Sequence, residues 1–131
     1  MKILIIEDEY LVARSLTFLI QTMGYKVAGV ADDVASAIKE AERTQPQLAF
    51  VDIQLAQGDS GLDAAAELQK RGVICIFLTG NPPAGPRPDI ALGCLPKPFS
   101  DVGLAGAIKI AEAVIEGAPL PKPPFGLELY R

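Results

Sequence analysis

Short apolar runs that each stop at a reactive side chain set the limits on how this chain folds. Ile3-Leu4-Ile5-Ile6 stops at Glu7-Asp8, Leu48-Ala49-Phe50-Val51 stops at Asp52, and Val73 to Leu78 stops at Thr79. A briefer run, Cys94-Leu95, leads into Pro96-Lys97-Pro98-Phe99. Unbroken apolar stretches of this length are what strands look like when a parallel sheet is covered on both faces. In an open parallel sheet the carboxyl ends of the strands share one edge, and ligands bind there at the crossover point. Three carboxylates, a hydroxyl and an amine are therefore expected at one rim.

Between the runs the period changes from strand to helix. Val12, Leu16, Leu19, Ile20 and Met23 fall on one helical face that Gly24 closes. Lys26 to Val30 reads as a second strand, and Asp32 or Asp33 as the cap of a helix carrying Val34, Ala37, Ile38 and Ala41 inward. A helix from about Leu62 to Lys70 buries Leu62, Ala65 and Leu68, after a loop in which Gly58 and Gly61 supply tight turns. Pro82, Pro83, Pro86 and Pro88 leave room for a short or degenerate fourth helix at most. Ser100 or Asp101 caps a last helix to about Glu116, with Leu104, Ile108, Ala111 and Ile115 as its core stripe and Ile110 and Val114 to the side. Strands alternating with helices predict a doubly wound α/β sandwich: a five-stranded parallel sheet with helices on both faces and right-handed crossovers.

The 131 residues suit one domain, and half of them are hydrophobic, enough for a packed core. A net charge of −4 gives no reason for direct binding to nucleic acid or to an anionic membrane surface. No apolar run reaches spanning length and the amino terminus enters a strand without a leader, so a cytoplasmic protein is expected. Cys75 and Cys94 lack metal-ligand spacing and read as buried thiols; with no histidine, a zinc site would rest on carboxylates.

Three acids at one rim need a cation, because two like charges about 4 Å apart repel by roughly 4 kcal/mol at an effective dielectric near 20. A hard divalent ion with oxygen ligands, Mg²⁺ in the first place, meets that need and leaves room for phosphate oxygens. Carboxylate, metal, ammonium and hydroxyl around one point suit phosphoryl transfer, in which the protein positions the group and neutralises its charge. Asp52 is the candidate nucleophile, and Lys97 and Thr79 stabilise the transferred group. Singly, each residue has a plain alternative: Glu7 and Asp8 as helix-start acids, Thr79 as a turn hydroxyl, Lys97 as a solvated lysine. Their joint placement favours the chemical reading.

The ordered set Ile-Ile-Glu7-Asp8, Phe-Val-Asp52, Phe-Leu-Thr79-Gly80 and Leu-Pro-Lys97-Pro98-Phe99 resembles the receiver domain of two-component response regulators, a CheY-like, flavodoxin-like fold with strand order 2-1-3-4-5. The resemblance covers residues 1–116. It implies Asp52 as phosphoacceptor and Asp8 and Asp52 as Mg²⁺ ligands, with Glu7 acting through metal-bound water and Gln54 through its backbone carbonyl. It also implies Thr79 as switch hydroxyl, Lys97 as phosphate-binding lysine, and a cis Lys97-Pro98 bond. Gln54 and Asn81 fall where the family tunes dephosphorylation. The implied partners are a histidine kinase or histidine phosphotransfer protein and a downstream regulator protein, in a phosphorelay whose receiver is no enzyme beyond promoting its own phosphorylation and dephosphorylation.

Several positions depart from the family. Receivers carry Tyr or Phe three residues before the lysine, a ring that turns inward in the switch, and this chain has Cys94 there. Ala56 replaces a usual proline. The Asp-Ile-Gln-Leu-Ala loop, with Phe-Leu-Thr-Gly and a proline-rich successor, resembles atypical alphaproteobacterial receivers, including those of general-stress regulators and a single-domain group. Residues 117–131 form a proline-rich tail in which Phe125, Leu127 and Leu129 alternate with Gly126, Glu128 and Tyr130. Either the tail is disordered, or it docks on the fifth strand or last helix of its own or a neighbouring subunit, which leaves a homodimer open. With no output domain expected after the tail, a stand-alone phosphoacceptor leads. A phosphorylation-independent binding module is the alternative. A haloacid-dehalogenase-type phosphohydrolase ranks behind both, because Gln54 stands where its general acid would be.

Overall fold

The computed structural model describes residues 1–130 of the chain; Arg131, the end of the tail, lies outside the described residues. Strands β1 (Lys2–Ile6), β2 (Lys26–Ala31), β3 (Leu48–Val51), β4 (Ile74–Thr79) and β5 (Gly93–Pro96) pair in parallel. Helices α1 (Tyr10–Thr22), α2 (Val34–Thr44), α3 (Gly61–Lys70) and α4 (Asp101–Glu116) connect or flank them. The sheet order is β2-β1-β3-β4-β5-β6, so the order reverses between β1 and β3, where Glu7 and Asp52 emerge.

Strict alternation along the buried strands divides the core into two layers. Ile3, Ile5, Leu48, Phe50, Ile76, Leu78 and Leu95 pack with α1 and α4, against Ala13, Leu16, Ile20, Leu104, Ile108 and Ala111. Leu4, Ile6, Ala49, Val51, Cys75 and Phe77 pack with α2 and α3, against Ala37, Ala41, Ala65 and Leu68. Local signals match these positions. Asp33 caps α2, its carboxylate accepting from the Ser36 N–H while its own N–H donates to the Ser36 hydroxyl, and Ser60 and Ser100 cap α3 and α4. Both cysteines are free and buried, and burial raises the Cys75 thiol to about 12 and the Cys94 thiol to about 11. No helix among the described residues is long and apolar enough to cross a membrane.

The structure corrects or extends the sequence reading at three places. Gly58 does take a left-handed conformation (φ 73°), but Gly61 does not turn the chain; it opens α3, and its need is steric, as described below. In α4, Ile110 is fully buried and Ile115 is 41% exposed, the reverse of the expected stripe. The sheet also gains a sixth strand. After the prolines the tail turns back and Glu128–Leu129 (β6) pairs antiparallel with β5 of the same chain, Glu128 opposite Cys94 and Leu129 opposite Gly93.

The tail covers part of the face of α4 on which Ile110 lies. Pro124 lies over Gly106, where an added Cβ would come within 2.6 Å of the proline ring, and Ile110 is one turn further along that face of α4. Tyr130 compensates for the missing helix between β4 and β5. No helix forms from 80 to 92 among the described residues, and Tyr130 packs with Phe77, Ile90, Ala91 and Cys94 over the stretch of sheet left bare. Its ring centroid lies 6.5 Å from that of Phe77 in a tilted arrangement. Fully burying a side chain of this size is worth about 1.5–3 kcal/mol before the tail's ordering entropy is charged against it. A chain ending at Gly117 is expected to lose about 1–3 kcal/mol in urea denaturation. An unchanged midpoint would mean that the tail adds nothing to the fold.

Candidate functional site

The rim of the sheet is built by backbone hydrogen bonds that hold each strand end in place. The Glu7 N–H donates to the Ala31 carbonyl (2.8 Å), the Asp52 N–H to the Ile6 carbonyl (2.9 Å), and the Lys97 N–H to the Thr79 carbonyl (2.8 Å). Strands β1, β3, β4 and β5 are thus locked in register up to the residue that carries the chemistry. Gly61 makes the loop after β3 possible, since a Cβ there would collide with the Asp52 backbone carbonyl. Nothing in the Ser-Gly pattern at the head of α3 distinguished this close approach from an ordinary turn.

Four of the five expected side chains meet directly. The Lys97 ammonium donates to Glu7 Oε1 at 2.6 Å and to Asp52 Oδ2 at 3.0 Å, bridging the two acids. The Thr79 hydroxyl donates to the other Asp52 oxygen, Oδ1, at 2.6 Å, and itself accepts from the Asn81 N–H at 3.0 Å. Asp8 completes the set: one carboxylate oxygen each from Glu7, Asp8 and Asp52 lie within 4.8 Å of one another, Asp8 exposed and the other two buried. Gln54 follows in the loop, bridged to Ser60. The Lys97-Pro98 peptide is cis.

These contacts push the two buried acids apart. Burial raises the Glu7 carboxyl above its ordinary range, and the hydrogen bonds from Lys97 and the Glu9 N–H only partly offset it. Asp52 is also penalised by burial, but hydrogen bonds from Thr79 and Lys97 outweigh that and hold it below the ordinary value. Asp52 is therefore the carboxylate kept ionised, as a nucleophile needs to be. Burial works against the Lys97 ammonium too, yet its bonds to Glu7 and Asp52 raise it overall.

The linkage signs follow. The Asp52 contribution is present above 3.8 and fades as pH falls through its lowered value. That of Lys97 is present below 10.5 and is lost as pH rises through its raised value. Ionised Glu7 is a cost that acid relieves. The three acids also fit the donor set a hard divalent ion requires: oxygens only, converging on one point, with the outermost one open to water.

Carboxylates on two adjacent strand ends, a hydroxyl on the third and an ammonium after the fourth, on a doubly wound α/β frame, are the arrangement of a receiver-type signalling domain. The chain belongs to the response regulator receiver domain family, whose profile matches residues 3–109. It is 43% identical over 115 residues to the phyllosphere-induced regulator PhyR of Methylorubrum extorquens, across 84% of this chain and 43% of that protein. Among solved structures it resembles the receiver domain of Erythrobacter litoralis PhyR (TM-score 0.76, 32% identity, 85% of this chain and 88% of that one). It also resembles the anti-anti-sigma factor PhyR of Bartonella quintana (TM-score 0.76, 29% identity, 88% and 49%). The chain spans less than half the length of the curated relatives it matches.

Removing the bridging ammonium tests the electrostatics of the rim. Lys97→Met leaves two buried carboxylates facing one another, so thermal or urea denaturation at neutral pH is expected to show a loss of about 1–3 kcal/mol. Carbon NMR titration should place both carboxyl groups above their wild-type values. Unchanged titration of Glu7 and Asp52 would show that Lys97 does not hold them.

Proposed function

We propose that the protein is a phosphoacceptor: Asp52 takes a phosphoryl group from a phosphohistidine of a histidine kinase or histidine phosphotransfer protein, and the modified domain signals through altered protein contacts. The observation that carries this reading is the split partnership of one buried carboxylate, with Thr79 on Oδ1 and Lys97 on Oδ2. One Asp52 oxygen forms the new O–P bond as the P–N bond of the donor breaks, and the departing imidazole nitrogen keeps the electron pair and takes a proton from water. Lys97, already beside both acids, follows the developing charge on the phosphoryl oxygens, and the Thr79 hydroxyl re-aims from Asp52 to one of them.

Mg²⁺ would be held by Asp8 and Asp52, by Glu7 through water and by the Gln54 backbone carbonyl, and when bound it supplies charge neutralisation at the phosphoryl oxygens. The rest of the chemistry belongs to the side chains. Access for the donor is supported by an apolar groove between α1 and the loop after β5, lined by Leu11, Leu16, Leu19, Lys97, Pro98 and Phe99. Leu11 and Phe18 on α1 are 77% and 68% exposed. A partner seated there would bring its phosphohistidine to the Lys97 side of Asp52. We place the reaction in the cytoplasm, where two buried thiols stay reduced.

The test is covalent labelling. Incubation with acetyl phosphate and Mg²⁺ is expected to add one phosphoryl mass to the wild-type chain, and nothing to Asp52→Asn or to wild type in excess chelator. Absence of label under all conditions would favour a binding module that works without phosphorylation, for which the loss of an aromatic at Cys94 is the motivating feature. Sustained phosphate release from simple esters would favour a phosphohydrolase.

A further inference from the structure

The C-terminal strand is seated in a place prepared for it. A side chain at Gly93 would collide with the Glu128 carbonyl oxygen, and one at Gly106 would press into Pro124, so two glycines on different elements leave room for the same tail. The Tyr130 N–H donates to the Leu92 carbonyl at 3.0 Å, and its ring enters the core beside Phe77, Ile90, Ala91 and Cys94 with 6% of the residue exposed. Yet the seat is incomplete. The buried Tyr130 hydroxyl has only the Cys94 thiol beside it, a weak partner that leaves it without a well-formed hydrogen bond among the described residues, the ladder is two residues long, and Phe125 stands fully in solvent. A docked segment with an orphaned polar group and so short a ladder belongs to the low-stability end of a structure.

Tyr130 also touches the strand that carries the site. Phe77 lies two residues before Thr79 on β4, on the same side of the sheet, and it is the ring against which Tyr130 packs. The ends of β4 and β5 are tied by the Lys97–Thr79 backbone bond, and β5 is the strand that β6 pairs with. We infer that β6 is a releasable clamp whose docking is linked to the state of Asp52 through Thr79, Phe77 and Tyr130. This rests on Asp52 being the phosphoacceptor.

When Thr79 and Lys97 leave the Asp52 oxygens for a phosphoryl group, the ends of β4 and β5 shift against each other and the Phe77–Tyr130 contact shifts with them. Undocking relieves the misfit and returns the orphaned hydroxyl to water. Modification therefore favours the released tail, and by reciprocity anything that strengthens docking weakens binding of a phosphoryl mimic at Asp52.

The full chain is examined by NMR amide exchange with Mg²⁺ alone and with Mg²⁺ plus beryllofluoride. Exchange at the Tyr130 amide, which donates to the Leu92 carbonyl, is expected to quicken about tenfold with the mimic bound. Tyr130→Phe keeps the ring and removes the orphaned hydroxyl, so tail exchange in Mg²⁺ alone should slow about tenfold and beryllofluoride affinity should fall in step. A tail that exchanges equally in both states overturns the inference, as does a Tyr130→Phe chain with slowed tail exchange and unaltered beryllofluoride affinity. Intact mass after acetyl phosphate treatment of the same samples separates the two layers: a labelled Asp52 with an unmoved tail refutes the clamp alone, while an unlabelled Asp52 refutes the phosphoacceptor and the clamp with it.

Discussion

Two buried carboxylates on neighbouring strand ends, Glu7 and Asp52, share a single ammonium, and the geometry of the rim is arranged around that shortage of positive charge. Bringing acids together at the point where a parallel sheet reverses its order is costly unless a cation sits among them. Lys97 reaches that point because β5 delivers it past the end of β4, with its own backbone bonded to Thr79. The amine fills one side of the cluster, and the side nearest Asp8 faces solvent. Asp52 is stabilised as an anion by the same contacts that a phosphoryl group would compete for. Any group that takes those contacts therefore disturbs the resting arrangement.

The rest of the fold translates that arrangement into rigidity on one side and weakness on the other. Strands β1, β3 and β4 are covered on both faces by helices and hold Glu7, Asp8, Asp52 and Thr79 in fixed register. Toward β5 the cover changes in kind. With prolines in place of a helix after Thr79, that part of the sheet is closed by Ile90, Ala91 and a tyrosine from the far end of the chain. The element furthest along the sequence is therefore packed directly on the strand that carries Thr79.

Much of this was legible in the sequence because buried parallel strands are written as plain apolar runs, and the residues that end them are unlike their surroundings. Asp52 after Phe50-Val51 and Glu7-Asp8 after Ile5-Ile6 needed no tertiary information to be placed at one edge. Their convergence with Thr79 and Lys97 is seen directly in the hydrogen bonds among them. What escaped was what depends on close approach between distant segments. Gly61 looks like a turn glycine until the Asp52 carbonyl is seen against it, and helical periodicity cannot register that the tail lays Pro124 over Gly106, on the face of α4 that also carries the buried Ile110. Alternation in Phe125 to Tyr130 pointed to an extended segment docking through Phe125, Leu127 and Leu129, but Phe125 stands in solvent and Tyr130, from the other face, fills the space beside Cys94.

The claim on which the account depends is that Glu7, Asp8 and Asp52 form one cation site rather than three neighbouring surface acids. Thermal denaturation at increasing Mg²⁺ measures it directly, since an ion that binds the folded chain stabilises it by about 2.7 kcal/mol at a hundred times its dissociation constant. The wild-type melting temperature is expected to rise with Mg²⁺ along a saturable curve, and that rise should vanish in Asp8→Asn. A melting temperature indifferent to Mg²⁺, or an equal rise in Asp8→Asn, would contradict the account.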